Sequence, residues 1–300
     1  SSLEAERDSL QALIGSEAKQ WKEIRKQIGE LKKLFGPDTE LGRRRTEIGS
    51  APAPIDIEEL EEAMIEKEPI TVICSSMGWI RAFKGHGHNP KDIKYKDGDK
   101  GKFVIEGQTT DKLLVLGTNG RFYTIGCDKL PSGRGFGEPL RLMADLPNDA
   151  DITELKIYEP EGKLIVASDG GHGFIVAEKE VLAQTRNGKQ VLNVGAKAEA
   201  KLCIALPKDA DHLATIGTNR KMLVFELSEM PEMSRGKGVI IQRIKDGKLS
   251  DIKPFNMEQG LSFKYGAGET VVDDITPWVG KRAQTGRMPP NGFPRDNKFD

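Results

Sequence analysis

Apolar positions fall into two regimes along the chain. Through residues 3–35 they recur at alternating spacings of three and four. Leu3, Leu10, Ile24 and Leu31 form one row, interrupted by Glu17; Ile14, Trp21, Ile28 and Phe35 form a companion row headed by Arg7. Such spacing keeps a stripe on one face of a helix and offers it to a partner helix. It predicts one continuous helix over 3–35, paired within the chain or across a dimer, with Gly36-Pro37 as its stop.

From residue 69 the pattern is that of short strands. Leu116–Ile125 reads as strand, tight turn, strand, and Ile216–Phe225 repeats it 100 positions later. Weaker copies stand at Ser75–Phe83 and Ala167–Val176, and a degenerate one begins at Phe263. A period of about 42 to 51 residues signals a blade-type repeat architecture. Five units follow, at roughly 69–110, 111–160, 161–207, 208–255 and 256–299. They open with the apolar strands Ile70–Cys74, Lys112–Leu116, Lys163–Ala167, His212–Ile216 and Leu261–Tyr265. A sheet this small cannot bury both of its faces. Radially arranged neighbours can do so for one another while exposing only short edges. The expected fold is therefore all-β: a five-bladed, propeller-like disc over 69–300, preceded by an α-helical, coiled-coil segment over 1–48. Between them, 49–68 combines the Gly49–Pro54 linker with a short acidic helix whose apolar face is Ile57, Leu60, Met64 and Ile65.

Composition agrees with this division. Hydrophobic residues make up 37% of the chain, thin for one large core but enough for several small ones, and 33 Gly with 16 Pro supply many turns. No run of 18 apolar residues exists, and no basic-then-apolar leader opens the sequence, so no membrane role is expected. Cys74, Cys127 and Cys203 are isolated from one another. They read as buried thiols in a reducing cytosol rather than a disulfide framework. Net charge is −1 overall, divided into −5 for residues 1–68 and +4 for 69–300. A balance that mild identifies no partner by itself; the clustering of the cations matters more.

The cations cluster in a recurring loop. It reads Ser132–Gly137 around Arg134 in the second unit, Thr185–Gln190 with Arg186 and Lys189 in the third, and Met233–Gly238 with Arg235 and Lys237 in the fourth. The fifth unit offers Lys281, Arg282 and Arg287; the first departs, with Lys84 followed by Gly85, His86, Gly87 and His88. Repeat-equivalent loops should lie on one circle. A row of Arg and Lys beside flexible backbone suits phosphate contacts without base reading. The candidate DNA-binding set is Arg134, Arg186, Lys189, Arg235, Lys237, Lys281, Arg282 and Arg287, with Lys84 and Arg121 in support. A single Arg-Gly turn is ordinary surface chemistry; the recurrence carries the reading. Catalytic motifs are missing: no P-loop, no dinucleotide fingerprint and no nucleophile elbow. His86 and His88 read as turn residues, not zinc ligands. Asp273-Asp274 reads as a solvated strand end, and Trp79 and Trp278 as packing residues.

Five such units, a second strand of the type Gly78-Trp79-Ile80-Arg81-Ala82-Phe83 and the loop Arg235-Gly236-Lys237-Gly238 resemble the C-terminal domain of bacterial type IIA topoisomerase A subunits. The front of the chain agrees: Glu23–Ile28, Phe35–Asp38 and Arg43–Ile48 are similar to the end of the long helices that follow the family's DNA-gate domain. The resemblance implies a β-pinwheel, whose blades exchange strands with their neighbours. It implies duplex DNA held and bent on a basic rim, which selects the segment for ATP-dependent strand passage. DNA gyrase, one branch of the family, carries a Gln-Arg-Arg-Gly-Gly-Lys-Gly box in its first blade. Lys84–His88 stands there instead, and Ser234–Gly238 is an incomplete approach to the box in the fourth unit. Five units and no box resemble the branch that decatenates chromosomes and relaxes supercoils.

The family's nucleophilic tyrosine belongs to an upstream domain, so Tyr95, Tyr123, Tyr158 and Tyr265 are not carried over, and no catalytic or metal-binding residue is expected. The resemblance places ATP and Mg in the holoenzyme rather than in these residues. Its implied partners are double-stranded DNA, a second A subunit, an ATP-hydrolysing B subunit, and a chromosome condensin, all at the cytoplasmic nucleoid. The alternatives are the equivalent gyrase domain and a protein-interaction disc that uses Glu58–Glu62 as a docking helix.

Overall fold

The computed structural model describes residues 2–46, 49 and 63–300. The chain divides into two compact units, Ser1–Leu60 and Glu61–Asp300. Most of the acidic helix expected at 56–67, including Glu58–Glu62, lies outside the described residues, as do Glu47 and Ile48.

In the first unit the expected single helix is two: α1 (Ser2–Ile14) and α2 (Glu17–Phe35). Gly15 and Ser16 separate them. Ser16 adopts an extended backbone, φ −143° and ψ 109°. Its carbonyl accepts from the Lys19 and Gln20 amides, and Gln20 Nε2 caps the Ile14 carbonyl at 2.9 Å. A glycine followed by a serine, the least helix-committed pair in the segment, overrides a periodic stripe that neither residue supports. Leu3, Leu10, Ile14, Trp21, Ile24, Ile28, Leu31 and Phe35 are all exposed in this unit.

The second unit is built from five sheets. The first contains β1 (Pro69–Ser75), β2 (Trp79–Lys84) and β3 (Gly101–Gln108), joined by β6 (Glu138–Pro139). The second contains β4 (Lys112–Gly117), β5 (Arg121–Gly126) and β7 (Ile152–Ile157), joined by β10 (Lys189–Gln190). The third contains β8 (Lys163–Ser168), β9 (His172–Ala177) and β11 (Ala200–Ala205), joined by β14 (Val239–Ile240). The fourth contains β12 (His212–Gly217), β13 (Met222–Glu226) and β15 (Leu249–Phe255), and the fifth β16 (Ser262–Tyr265) and β17 (Gly268–Val271).

The first three sheets each borrow their last strand from the following repeat, and the fourth takes a bridge in the same way. The registers coincide: Ile80 pairs with Glu138, Phe122 with Lys189, Gly173 with Val239, and Met222 with Arg287. All pairings between named strands in these sheets are antiparallel. This is a β-pinwheel, as the resemblance implied.

The first four opening strands are largely apolar because both of their faces are buried, with Thr71 and Thr215 as buried polar exceptions. Leu113 and Val115 pack toward the first sheet, while Leu114 and Leu116 pack toward the third. Likewise Leu164 and Val166 face the second sheet and Ile165 and Ala167 the fourth. Four apolar cores result, one between each successive pair of sheets, the last closed by Phe263, Phe293 and Phe299. Each fully buried Leu, Ile or Phe contributes about 1.5–3 kcal/mol of transfer free energy. The three cysteines are buried in these layers. Burial pushes the Cys74 and Cys127 thiols up to about 12 and the Cys203 thiol up as well, so all are inert at neutral pH.

The strand exchange depends on one backbone position. Beside each borrowed strand stands a glycine with positive φ: Gly137 (81°), Gly188 (70°), Gly238 (76°) and Gly286 (79°). At each, an added Cβ would collide with the carbonyl of the residue that anchors the exchange, Ile80, Phe122, Gly173 or Met222. Gly238→Ala should therefore cost about 1–3 kcal/mol from the backbone conformation alone, before the clash is counted. Gly195→Ala, whose Cβ meets nothing within 4 Å, should change stability by less than about 0.5 kcal/mol. Urea unfolding of the two variants measures the difference.

Candidate nucleic-acid interface

The Arg-Gly loops are spans held at both ends on one neighbouring strand. One end is the borrowed strand. The other lies two residues further along the receiving strand: Ala82 bridges to Ser132, Ile175 to Glu232 and Val224 to Val279. In the third unit a side chain takes the place of this bridge, the Thr124 hydroxyl accepting from the Ala183 amide at 2.9 Å. Five to seven residues thus leave and rejoin a stretch of strand only two residues long. They have to bulge outward. The borrowed strand occupies the same edge of each sheet, so each loop leaves the equivalent edge of its own sheet.

Counted from the shared register position, Arg134 and Arg235 coincide, each four residues before it, and Arg186 is one residue out of step. In the fifth unit Arg287 occupies the register position itself, and Ala283 (φ 67°) stands where the other loops carry or nearly carry Arg.

The ten candidate side chains have different roles. Arg134, Arg235, Lys237, Lys281 and Arg287 are exposed, and Lys189 half-exposed, with no ion pair or side-chain hydrogen bond among the described residues. Lys84 is exposed but paired with Glu68 at 3.1 Å. Arg186 bonds the Leu142 carbonyl and lies 3.7 Å from Asp145, so an incoming phosphate would compete with a carboxylate.

Arg121 and Arg282 are not free cations. Arg121 donates to the Asn187 carbonyl at 2.9 Å and to the Gly188 carbonyl at 3.2 Å, holding the third unit's loop in place. Arg282 donates to the Glu229 carbonyl at 3.0 Å and the Ile240 carbonyl at 2.6 Å. Both are structural donors, because main-chain acceptors lie within reach of their five N–H groups.

Sequence reasoning missed two related arginines. Arg81, buried in β2, bonds the Gly135 carbonyl and so orients the Arg134 loop; burial lowers its pKa below the ordinary guanidinium value. Arg220 takes the left-handed turn position (φ 57°) that glycine occupies in three other units. It donates to the Pro294 carbonyl at 2.9 Å and to Asn297 Oδ1 at 3.2 Å, tying the C-terminal tail to the fourth sheet. Their signal was an Arg in a strand or turn rather than beside a loop glycine.

The histidines are turn and strand residues. His86 meets the Gly107 carbonyl, His88 lies tilted against Phe83 with ring centroids 5.1 Å apart, and no group of metal-ligating side chains occurs among the described residues. Trp79 lies under the Lys96 ammonium, 3.2 Å from the ring centroid, and Trp278 donates to the Met288 carbonyl at 2.7 Å. No helix among the described residues is long and apolar enough to cross a membrane.

Comparison with known proteins adds to this geometry. A family model described as the DNA gyrase C-terminal domain, beta-propeller, matches residues 162–202 and 211–256. The chain is 43% identical over 300 residues to the A subunit of DNA topoisomerase 4 from Rickettsia bellii, a match that covers all of this chain and 40% of that protein. The Caulobacter vibrioides protein of the same name is 43% identical over 306 residues, covering 99% of this chain and 40% of its own length. The structure of the E. coli ParC C-terminal domain superposes with a TM-score of 0.67 at 29% identity, covering 76% of this chain and 96% of that one. The chain thus spans about two fifths of the length of the relatives it matches.

The division between structural and free cations can be measured in the absence of any ligand. Arg282→Ala strands two carbonyls and should lower stability by about 1–3 kcal/mol. Lys281→Ala, one residue away and unpaired, should stay within about 0.5 kcal/mol of the parent. Thermal and urea unfolding of the two single variants gives the comparison.

Proposed function

This chain belongs to the C-terminal β-pinwheel family of bacterial type IIA topoisomerase A subunits, and on that ground we propose that it holds duplex DNA by its phosphates along the edge where the Arg-Gly loops emerge. The observation that carries the proposal is the set of exposed, unpaired cations on that edge: Arg134, Arg235, Lys237, Lys281 and Arg287, with Lys189 beside them. All but Lys281 stand next to left-handed glycine backbone, where a phosphate can approach closely. None presents the fixed bidentate constellation that base-edge reading requires, so binding is sequence-tolerant.

On this reading the chain is part of a topoisomerase IV, which works in the cytoplasm with a second A subunit, and with a B subunit that hydrolyses ATP. The disc bends a duplex and so selects the segment passed through the cleavage gate, as decatenation, supercoil relaxation and chromosome segregation require. Strand cleavage, ATP and Mg belong to the rest of that assembly. The gyrase alternative needs a dense basic box in the first unit. Lys84 is tied to Glu68, and His86 and His88 are hydrogen-bonded in place, which speaks against DNA gripped at that point.

The test is equilibrium binding of a 30-bp duplex to the full chain across a series of salt concentrations. Replacing Arg134, Arg235 and Lys237 together with Gln removes three phosphate contacts and should flatten the log–log salt slope by about 2.7. The loss should be the same for unrelated duplex sequences. Parent-like affinity and slope in that variant would reject the loop edge as the DNA track.

A further inference from the structure

A hollow of about 420 Å³ lies where the fourth and fifth units meet, lined by Arg243, Arg287, Trp278, Gln284 and Thr285 among others. Arg243 and Arg287 are both exposed lining residues, and neither guanidinium has a side-chain partner among the described residues. No carboxylate is among its lining residues. The other large concavities of the disc differ in this respect. The hollow beside β8 is lined by Glu159 and Glu161 together with Lys163 and Lys208. The one beside β12 carries Asp211, Glu226 and Glu232. Of the three, the first alone presents cations without counter-charge.

Its walls are fixed by the backbone. The Ala283 amide donates to the Ile241 carbonyl at 2.9 Å and the Arg243 amide to the Gln284 carbonyl at 3.1 Å. Arg287 exchanges both main-chain bonds with Met222, and the Gly280 amide reaches the Val224 carbonyl at 2.8 Å. Gln242, next to Arg243 in sequence, is 1% exposed and hydrogen-bonded at both ends of its amide. Its Nε2 donates to the Lys221 and Thr285 carbonyls, each at 2.9 Å, and its Oε1 accepts from the Thr215 hydroxyl at 2.9 Å. Trp278 is held by its Nε1 bond to the Met288 carbonyl, so the indole stands at the rim as a fixed wall. Arg243 was not legible as a site residue, because it follows the borrowed strand rather than a loop glycine.

We infer that this hollow is a phosphate seat: it takes one phosphodiester group of a DNA strand between the Arg243 and Arg287 guanidiniums, with Trp278 against the adjoining sugar. The inference rests on the DNA reading above and deepens it, because it gives the track a single built anchor at one end. Planar guanidiniums fit phosphate oxygens in pairs, and on a backbone frame fixed at both positions they lose less freedom per hydrogen bond than an ammonium would. The exposed loop lysines bring charge without that frame.

The experiment uses the full chain with Trp21→Phe and Trp79→Phe, which leaves Trp278 as its one indole. A 30-bp duplex should change Trp278 emission along the same isotherm as binding. Arg243→Gln with Arg287→Gln should abolish that change and flatten the salt slope by about 1.8. Its thermal melt should remain that of the parent, since neither side chain supports the fold. If this pair binds DNA with parental affinity and slope while the Arg134, Arg235 and Lys237 variant is weakened, the seat is wrong and the loop track stands. If neither variant is weakened, both are wrong. A nucleoside monophosphate that saturates the emission change and is not displaced by duplex would overturn the assignment to a DNA strand.

Discussion

A two-residue strand passed to the preceding sheet is the contact on which the β unit depends. Two main-chain hydrogen bonds contribute only about 0.5–1.5 kcal/mol each, so their importance is positional. They draw each repeat across the face of its neighbour, and the apolar runs Leu113–Leu116, Leu164–Ala167 and Leu213–Ile216 become buried on both sides. The glycine beside each exchange is what permits the close approach, because its backbone is left-handed and the neighbouring carbonyl occupies the space of a Cβ. A repeat that lost this approach would leave an unpaired edge and a half-covered core at once.

The same constraint distributes the cations. Wherever a loop is stapled to a neighbouring strand, it turns some of its carbonyls outward and inward without a helix or ladder to satisfy them. Guanidiniums supply donors around these loops: Arg81 for Gly135 and Arg121 for Asn187 and Gly188 in a neighbour's loop, and, from the fifth unit's own loop, Arg282 for Glu229 and Ile240 of the preceding repeat. An arginine whose forks are filled by main-chain oxygens cannot also grip a phosphate. The basic count of the repeats therefore overstates the charge available outside. What is left falls on the loop crests, at Arg134, Arg235 and Lys237, and on the fifth unit's Lys281 and Arg287.

Much of this was legible in the sequence. The recurrence of Leu116–Ile125 at Ile216–Phe225 set the repeat length, and every opening strand lies within a residue or two of its expected place. The recurrence of Arg beside Gly located the loops. What the pattern could not show was which Arg faced inward, since that depends on carbonyls contributed by a different repeat: Arg282 and Lys281 are sequence neighbours with opposite fates. The heptad stripe misled for a local reason. It counted apolar positions, whereas the break at Gly15-Ser16 comes from residues outside the stripe that favour non-helical backbone. Arg243 escaped notice because its surroundings are assembled from two repeats.

The exchange also gives the row of loops two ends. Among the described residues no sheet precedes the first repeat, and its Lys84–Lys100 stretch folds back over its own sheet, with His88 against Phe83 and Lys96 over Trp79. Among the described residues the fifth sheet receives no loop. It is completed by the tail, where Phe293 and Phe299 are buried and the Phe299 carbonyl accepts from the Lys264 amide. Among the described residues five sheets carry four loops, and one of the four has its arginine drawn toward Asp145. On the proposed reading a duplex meets a short arc of cations rather than a closed ring. Bending a 20–30 bp site costs about 1–6 kcal/mol, rising with the angle. An arc with few unpaired cations offsets the lower part of that range more readily than the upper, so the number of loops, set by the exchange, favours a partial bend over a full wrap.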